Sequence, residues 1–507
     1  MSYAAAIDQL NAMTPELHTQ PGHTRRKFSL AEIGTLLQTL GNPHRRFRSI
    51  LIAGTNGKGS TAATLSSILR ESAARSALYT SPHLTRPNER IRTNGVEISD
   101  DDFARLYFRV HDRGQQLVLD QKLAQLPSFF ETLTAMAFLH FADQSVDIAV
   151  LEVGMGGRLD ATNIVDPLLS IVTDISLDHT EWLGPTIAAI TREKAGILRP
   201  NGTLITLPQH PEANQVLGEI ATALHVRAVS AVPCMPQTFP HAHPAPVASS
   251  ALKEDGASAP ESYPIEVLGT TIEVASPLHG DHQHRNIALA IAAAVELATH
   301  HGLAITPASI EQGIGFTQWP GRLEVIPFTA SETPAPPQVA LAPPQVVLDV
   351  AHNPAGAWAL RAALRSEFGI EDPSETPAVL IFGCLRDKPL AEMSQILFPL
   401  FQEVIFAPIH SPRATPMADL LAAATAVGVP ARAAASVEEA LAWAEGTLAP
   451  ENPTRPSQAV ARAENPCPSN HVPGREAPFA RRVAVVAGSV YLVGEVRPLL
   501  LARAAQS

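Results

Sequence analysis

ILIAGTNGKGSTAATL, residues 50–65, passes from an apolar run through a glycine-rich stretch into a helix-forming segment. Ile50 to Ala53 predict a strand, Gly54 to Gly59 a turn, and Ser60 onward a helix. That order gathers backbone N–H groups and the positive end of a helix around one point, which is what a polyphosphate needs. Lys58 is placed to reach the outer phosphates, and Gly57 and Gly59 let the backbone approach without a Cβ in the way. A Walker A loop has Ser or Thr directly after its Lys, because that hydroxyl holds magnesium. Here Gly59 follows Lys58, and Ser60 comes one position late. The spacing therefore predicts a phosphate loop whose metal takes a ligand from another loop. The alternative is a glycine-rich turn with no ligand.

The flanking chain supports an α/β reading. From about residue 48 to 205, the runs SILIA, DIAVLEV and LLSIVTDI are continuously apolar and bounded by Gly, Pro or Asp. Such runs suit strands buried on both faces of a parallel sheet. Helical patterns such as STAATLSSILRESAA lie between them, which predicts βαβ units in a doubly wound domain. A helix over NIALAIAAAVELATHHG is expected to stop at Gly302. A second series begins at VVLDVAHNPAGAWALRAAL and continues through AVLIFGC, EVIFAPI and RVAVVAGSVYLVGEV. We expect a first domain over 1–328, a proline-stiffened linker over 329–345 and a second α/β domain over 346–507. Residues 229–263 and about 449–478, rich in Pro, Ala and Ser, are expected to be surface insertions.

At 507 residues the chain exceeds what one hydrophobic core usually serves. An apolar fraction of 45% with 17% charged residues is ordinary for a globular protein. A net charge of −12 argues against a general nucleic-acid binder, which needs a basic footprint. Cys234, Cys384 and Cys467 form no C-x-x-C pair, which fits a reducing compartment and gives no zinc spacing. The opening MSYAAAIDQLNAMTPEL lacks the pattern of a signal peptide, and no apolar run approaches a membrane span. The expectation is a cytoplasmic protein with neither nucleic-acid nor membrane partners.

Further clusters carry candidate chemistry. AVLEVGMGGRLDATNIV puts Glu152 at the end of an apolar strand, where a carboxylate can bind magnesium or simply solvate a turn. Gly154, Gly156 and Gly157 allow a ligand to come close behind it. In SLDHTEWLGPTIAAITREKAGIL, His179 could be a metal ligand and Lys194 lies in a helical stretch, but spacing alone favours a satisfied surface histidine and a solvated lysine. In VLDVAHNPAGAW, Asp349 and His352 sit where a sheet's carboxyl edge binds ligands, with Pro354 suited to the first helical turn. Asp349 could meet a ribose hydroxyl there; a helix-capping loop is the alternative.

Taken together, these segments resemble the folylpolyglutamate synthase/dihydrofolate synthase branch of the Mur ligases. The motifs are GTNGKGST, YTSPHLTRPNERI, FFETLTAMAF, LEVGMGGRLDATNIV, SLDHTEWLG, REKAGI, PGRLEV, LDVAHNP and SPRAT, in family order from about residue 27 to 495. The late Ser is that branch's form of the loop. The resemblance implies a P-loop-type domain plus a Rossmann-like domain, with ATP bound between them and L-glutamate joined to a folate or dihydropteroate through an acyl phosphate. It implies that Thr55, Asn56, Gly57, Lys58, Gly59 and Ser60 cradle ATP, with Asn286, Arg322, Asp349 and His352 as further nucleotide contacts.

By the same resemblance, Ser81 and Glu152 hold a first magnesium, His179 helps hold a second, and Lys194 is carbamylated. Lys58, Lys194 and His179 are the implied catalytic groups. The pterin is expected near Ser128, Phe129, Phe130 and Glu131 and near Leu159, Asp160 and Ala161, with a looser match at Lys27 to Ser29. A monomer is implied. The rival readings are a Mur-type ligase acting on a peptidoglycan precursor and a non-catalytic nucleotide-binding scaffold. A guanine-specific Asn-Lys-x-Asp run is absent.

Overall fold

The structure, a computed structural model, describes residues 2–13, 29–237, 262–328, 344–374, 376–448 and 482–505. It divides into two compact units, Met1–Arg322 and Leu323–Ser507. Residues 329–343 of the predicted linker, most of the 229–263 insertion, the whole 449–478 insertion, Lys27 and Cys467 lie outside the described residues. Among the described residues, no helix is long and apolar enough to cross a membrane.

The first unit is built on an eight-stranded sheet. Its strands are β1 (Arg48–Ala53), β2 (Ser76–Tyr79), β3 (Ile91–Thr93), β4 (Val96–Glu97), β5 (Ile148–Glu152), β6 (Leu169–Val172), β7 (Thr203–Thr206) and β8 (Arg227–Ser230). They lie in the order β4-β3-β2-β5-β1-β6-β7-β8. β2, β5, β1, β6, β7 and β8 pair parallel, while β3 and β4 add an antiparallel edge. The uninterrupted apolar runs follow from this placement. Along β1, Leu51 and Ala53 join one core with Tyr107, Phe138 and Phe141, and Ile50 and Ile52 join another with Leu65, Ile68 and Ile291. A central strand buried on both faces leaves no polar alternation to read.

Two short strands were hidden in the Pro-rich segment assigned to 229–263. β8 ends within it at Ser230, and β9 (Ser262–Val267) begins within it. β8 is a mostly exposed edge strand, so burial imposes no apolar run on it. β9 pairs antiparallel with β10 (Thr270–Ala275). Leu268 and Gly269 take positive φ between them, the geometry of a tight hairpin turn.

The second unit carries β11 (Glu324–Pro327), β12 (Gln345–Leu348), β13 (Ala378–Phe382), β14 (Glu403–Phe406), β15 (Ala431–Ala433) and β16 (Val483–Ala487). Their order is β11-β12-β16-β13-β14-β15, parallel except for β11 against β12. Residues 323–328, expected in the first domain, thus belong to the second sheet, because β11 pairs with β12 from Glu324 to Pro327. Its core holds Phe382, Phe398 and Phe406, with the first two rings edge-on at 5.2 Å. Helix Pro354–Phe368 follows β12, with Pro354 at its start and the Asn353 side chain accepting from Gly356 N.

Candidate active site

The phosphate loop leaves the carboxyl end of β1 and enters helix Lys58–Glu71. Gly57 caps that helix at φ 86°, a left-handed conformation that a side chain resists. A Cβ there would also lie 2.1 Å from Asn286 Oδ1. Lys58, Gly59 and Ser60 open the helix, so their N–H groups have no carbonyl one turn back within it. Thr55 and Asn56 are engaged differently: both backbone N–H groups donate to the Asp174 carbonyl, at 2.8 and 3.2 Å. Thr55 Oγ1 also bonds to the Ser176 backbone, and Asn56 Nδ2 donates to Ser176 Oγ. These two residues shape the loop, and the open donors follow them.

The displaced hydroxyl has a steric cause. A Cβ on Gly59 would lie 2.7 Å from the ring of Trp319. No Ser or Thr fits beside Lys58 while that indole is in place.

Two lysines converge on one carbonyl. Lys58 Nζ donates to Gly54 O at 3.2 Å and Thr55 O at 3.1 Å, and Lys194 Nζ donates to Gly54 O at 2.6 Å. Lys194 sits near the end of helix Ile187–Ala195 and is buried, so the solvated-lysine alternative is overturned. Burial, reinforced by the charge of Lys58, pushes its pKa down to about 7. Burial also lowers Lys58, against the opposing pull of Glu152 and Asp178. Glu152 ends β5 and is buried, so it is no solvated turn residue. Burial raises its pKa, opposed by the charge of Lys58 and by Ser81 N, which donates to Glu152 Oε2 at 3.1 Å. Arg322 adds positive charge near both Lys58 and Glu152.

His179 caps the short helix Thr180–Leu183 at φ 49°, its Nε2 lying 4.0 Å from Asp178 Oδ1. Asp178, which the sequence reading passed over, draws on Lys58 and Lys194 alike. Among the described residues, no group of three His, Cys, Asp or Glu side chains stands ready for a metal. The oxygen set available, the Glu152 carboxylate with Ser81 held against it, has the hard character that suits magnesium.

The segments assigned to the pterin are close to this edge and partly committed to local structure. Ser128 and Glu131 form a capping box on helix Phe129–Asp143, each accepting from the other's backbone N–H. Asp160 clasps its own loop, accepting from Met155 N, Thr162 N and Thr162 Oγ1. Leu159 precedes it, and Ala161 opens a short helical turn. The Phe130 ring packs close to the glycine loop after β5: a Cβ on Gly154 would lie 2.6 Å from its Cζ. The Arg90 guanidinium stacks 5.2 Å over Phe129, and its Nε donates to His83 Nδ1 at 2.8 Å. Burial, with the charge of Arg90, pushes the His83 pKa to about 3, which keeps it a neutral acceptor.

In the second unit, Asp349 follows β12 and is buried, accepting from Leu323 N at 3.1 Å and Ala351 N at 2.8 Å. His352 Nδ1 lies 2.8 Å from Val350 O. Both residues therefore stabilise the loop at the carboxyl edge of their own sheet.

Residues 52–294 match the Mur ligase middle domain, and residues 338–453 match the Mur ligase, glutamate ligase domain. The dihydrofolate synthase/folylpolyglutamate synthase of Bacillus subtilis (strain 168) is 34% identical over 404 residues, which cover 78% of this chain and 86% of that protein. The protein of the same name from Mycobacterium tuberculosis is 35% identical over 413 residues, covering 79% and 78%. The chain belongs to the folylpolyglutamate synthase/dihydrofolate synthase family of Mur ligases. The crystal structure of Mycobacterium tuberculosis folylpolyglutamate synthase complexed with ADP and AMPPCP matches with a TM-score of 0.76 at 29% identity, covering 98% of this chain and 99% of that one. E. coli FolC in complex with DHPP and ADP matches with a TM-score of 0.73 at 26% identity, covering 99% of each.

As a member of this family, the chain brings its motifs together as folding requires. GTNGKGST, Glu152, Ser81 and Lys194, far apart in sequence, meet at the carboxyl edge of β1, β5 and β6. Asp178, Thr173, Trp319 and Arg285 were missed, because Thr173 and Trp319 meet the loop, Arg285 meets Asp174, and Asp178 acts on Lys58, all across long sequence separations.

Proposed function

We propose that this chain is an ATP-dependent ligase that adds L-glutamate to tetrahydrofolate and its polyglutamates and to 7,8-dihydropteroate. The observation that carries the reading is the convergence of the phosphate loop with its Lys58, buried Glu152 and buried Lys194 at one sheet edge, in a chain of this family. A carboxylate is a poor electrophile because it is already anionic. In the first step, an oxygen of the acceptor carboxylate attacks the γ-phosphorus and ADP leaves. In the second, the neutral amine of L-glutamate attacks the acyl carbon, phosphate leaves, and the nitrogen loses a proton.

Within this reading, the open N–H groups of Lys58, Gly59 and Ser60 and the Lys58 ammonium bind the phosphates, while Thr55 and Asn56 hold the loop's shape. Lys58 must turn from the Gly54 and Thr55 carbonyls to do so. Glu152 and Ser81 would hold a magnesium ion, with His179 beside a second; such an ion supplies charge neutralisation at the transferred phosphoryl group. Arg322 supports the same negative charge. Asn286 buttresses Gly57, while Asp349 and His352 remain the nucleotide contacts that the family resemblance implies. Phe129, Phe130 and the 159–161 turn offer the pterin an apolar face closed by the capping box of Ser128 and Glu131.

Lys194 is proposed to be carbamylated: its neutral amine adds to carbon dioxide and releases a proton, which turns a cation into an anion. Burial favours the neutral amine that this requires. The protein is further taken to act as a monomer in the cytoplasm, without nucleic acid.

The site is tested by Glu152→Gln. Turnover is expected to fall by about a hundredfold or more, the several kcal/mol that a lost metal interaction represents. Binding of ADP without metal should persist. Normal turnover in that variant would remove Glu152 from the site.

A further inference from the structure

The loop after β6 acts as a template for the phosphate loop. Asp174 O receives both Thr55 N and Asn56 N, Ser176 brackets the Thr55 hydroxyl, and Thr173 Oγ1 donates to Asn56 O at 2.7 Å. The Asp174 carboxylate points elsewhere, to Arg285. Arg285 Nε lies 3.1 and 2.9 Å from its two oxygens, and Nη2 lies 2.6 Å from Oδ1. The same Nη2 donates to Pro208 O at 2.9 Å, and Ile175 N donates to Gln209 Oε1 at 2.9 Å, so the loop after β7 is tied in as well.

Arg285 is also the neighbour of Asn286 on helix Asp281–His300. Successive helical residues project about 100° apart. One turn of helix therefore holds the phosphate loop from two directions: Asn286 directly at Gly57, and Arg285 through Asp174. The pair is half exposed, at 29% and 43%, and ion pairs of that exposure add little to folding stability. Its forked geometry, however, fixes the orientation of the very residue whose carbonyl organises Thr55 and Asn56.

We propose that Arg285 and Asp174 form a positioning pair that keeps the phosphate loop in its nucleotide-binding shape. The inference rests on the reading that nucleotide binds at this loop. Neither residue is asked to touch the nucleotide; Arg285 acts through Asp174, and Asp174 through the loop backbone.

Calorimetric titration of the full chain with ADP and magnesium tests it, using wild type, Lys58→Ala, Asp174→Asn, Arg285→Gln, the Asp174→Asn/Arg285→Gln double variant and Arg285→Lys. Each single charge-removing variant is expected to weaken ADP binding about five- to tenfold, a coupling ordinary for contacting residues. The double variant should bind no more weakly than the worse single one, and Arg285→Lys should recover part of the loss. In turnover, KM for ATP should rise by the same factor while kcat at saturating ATP changes by less than about twofold. A lowered Tm with unchanged ADP affinity and KM would make the pair merely structural and overturn the inference, as would losses that add in the double variant. Failure of the wild type to bind ADP, or equal binding by Lys58→Ala, would overturn the ligase site itself.

Discussion

Lys194 is the residue whose chemistry the fold alters most plainly. Its helix carries it into the interior, where the Gly54 carbonyl accepts a hydrogen bond from Nζ and the nearby Lys58 charge disfavours another cation. The sign of the consequence is fixed by linkage. A pKa of about 7 in the folded chain lies below the ordinary 10.5. Between those values the unfolded chain holds a proton that the folded one lacks, so stability rises with pH across the window and is lowest below it. In buffer freed of carbon dioxide, denaturant unfolding of wild type is expected to show stability rising from pH 7 to 9 relative to Lys194→Met. A pH-independent difference between the two would mean that Lys194 is not held in the buried, unmodified state described. None of this was legible locally: REKAGI reads as an exposed helix end, and only the meeting of Gly54 with Lys194 across 140 residues reveals otherwise.

The decisive element is the β1 turn into helix Lys58–Glu71, and its logic was mostly readable. An apolar strand, a glycine turn and a helix start announce an anion site in any order of reading. What the sequence withheld was why each glycine stands where it does. Gly57 faces Asn286, and Gly59 faces Trp319, residues more than two hundred positions away. Gly57→Ala adds a strained left-handed residue, costing about 1–2 kcal/mol, and a collision with Asn286. It is expected to weaken ADP binding at least about tenfold. Gly218 offers the contrast: it lies inside helix Pro211–Ala223 with nothing near its missing Cβ. Gly218→Ala should therefore stabilise the chain by about 0.5–1 kcal/mol and leave ADP binding alone. Matched effects of the two substitutions, by thermal melts and titration, would contradict this assignment of the loop. The short edge strands β8, β11 and β15 escaped the reading for another reason: with little burial to satisfy, they need no apolar signature.

For the molecule as a whole, two α/β units were foreseeable, because parallel sheets demand long apolar runs separated by helices. The boundary came earlier than expected because β11 pairs with β12. The family assignment rests on motifs spread across both units, and the chemistry on residues that one sheet edge collects in the first. The measurement that tests this account most directly is ADP release with L-glutamate, comparing tetrahydrofolate, 7,8-dihydropteroate and a peptidoglycan precursor as acceptors. Glutamate-dependent ADP release with both pterin acids and none with the precursor is the predicted result. Release with the precursor alone, or with no acceptor of the three, would contradict it.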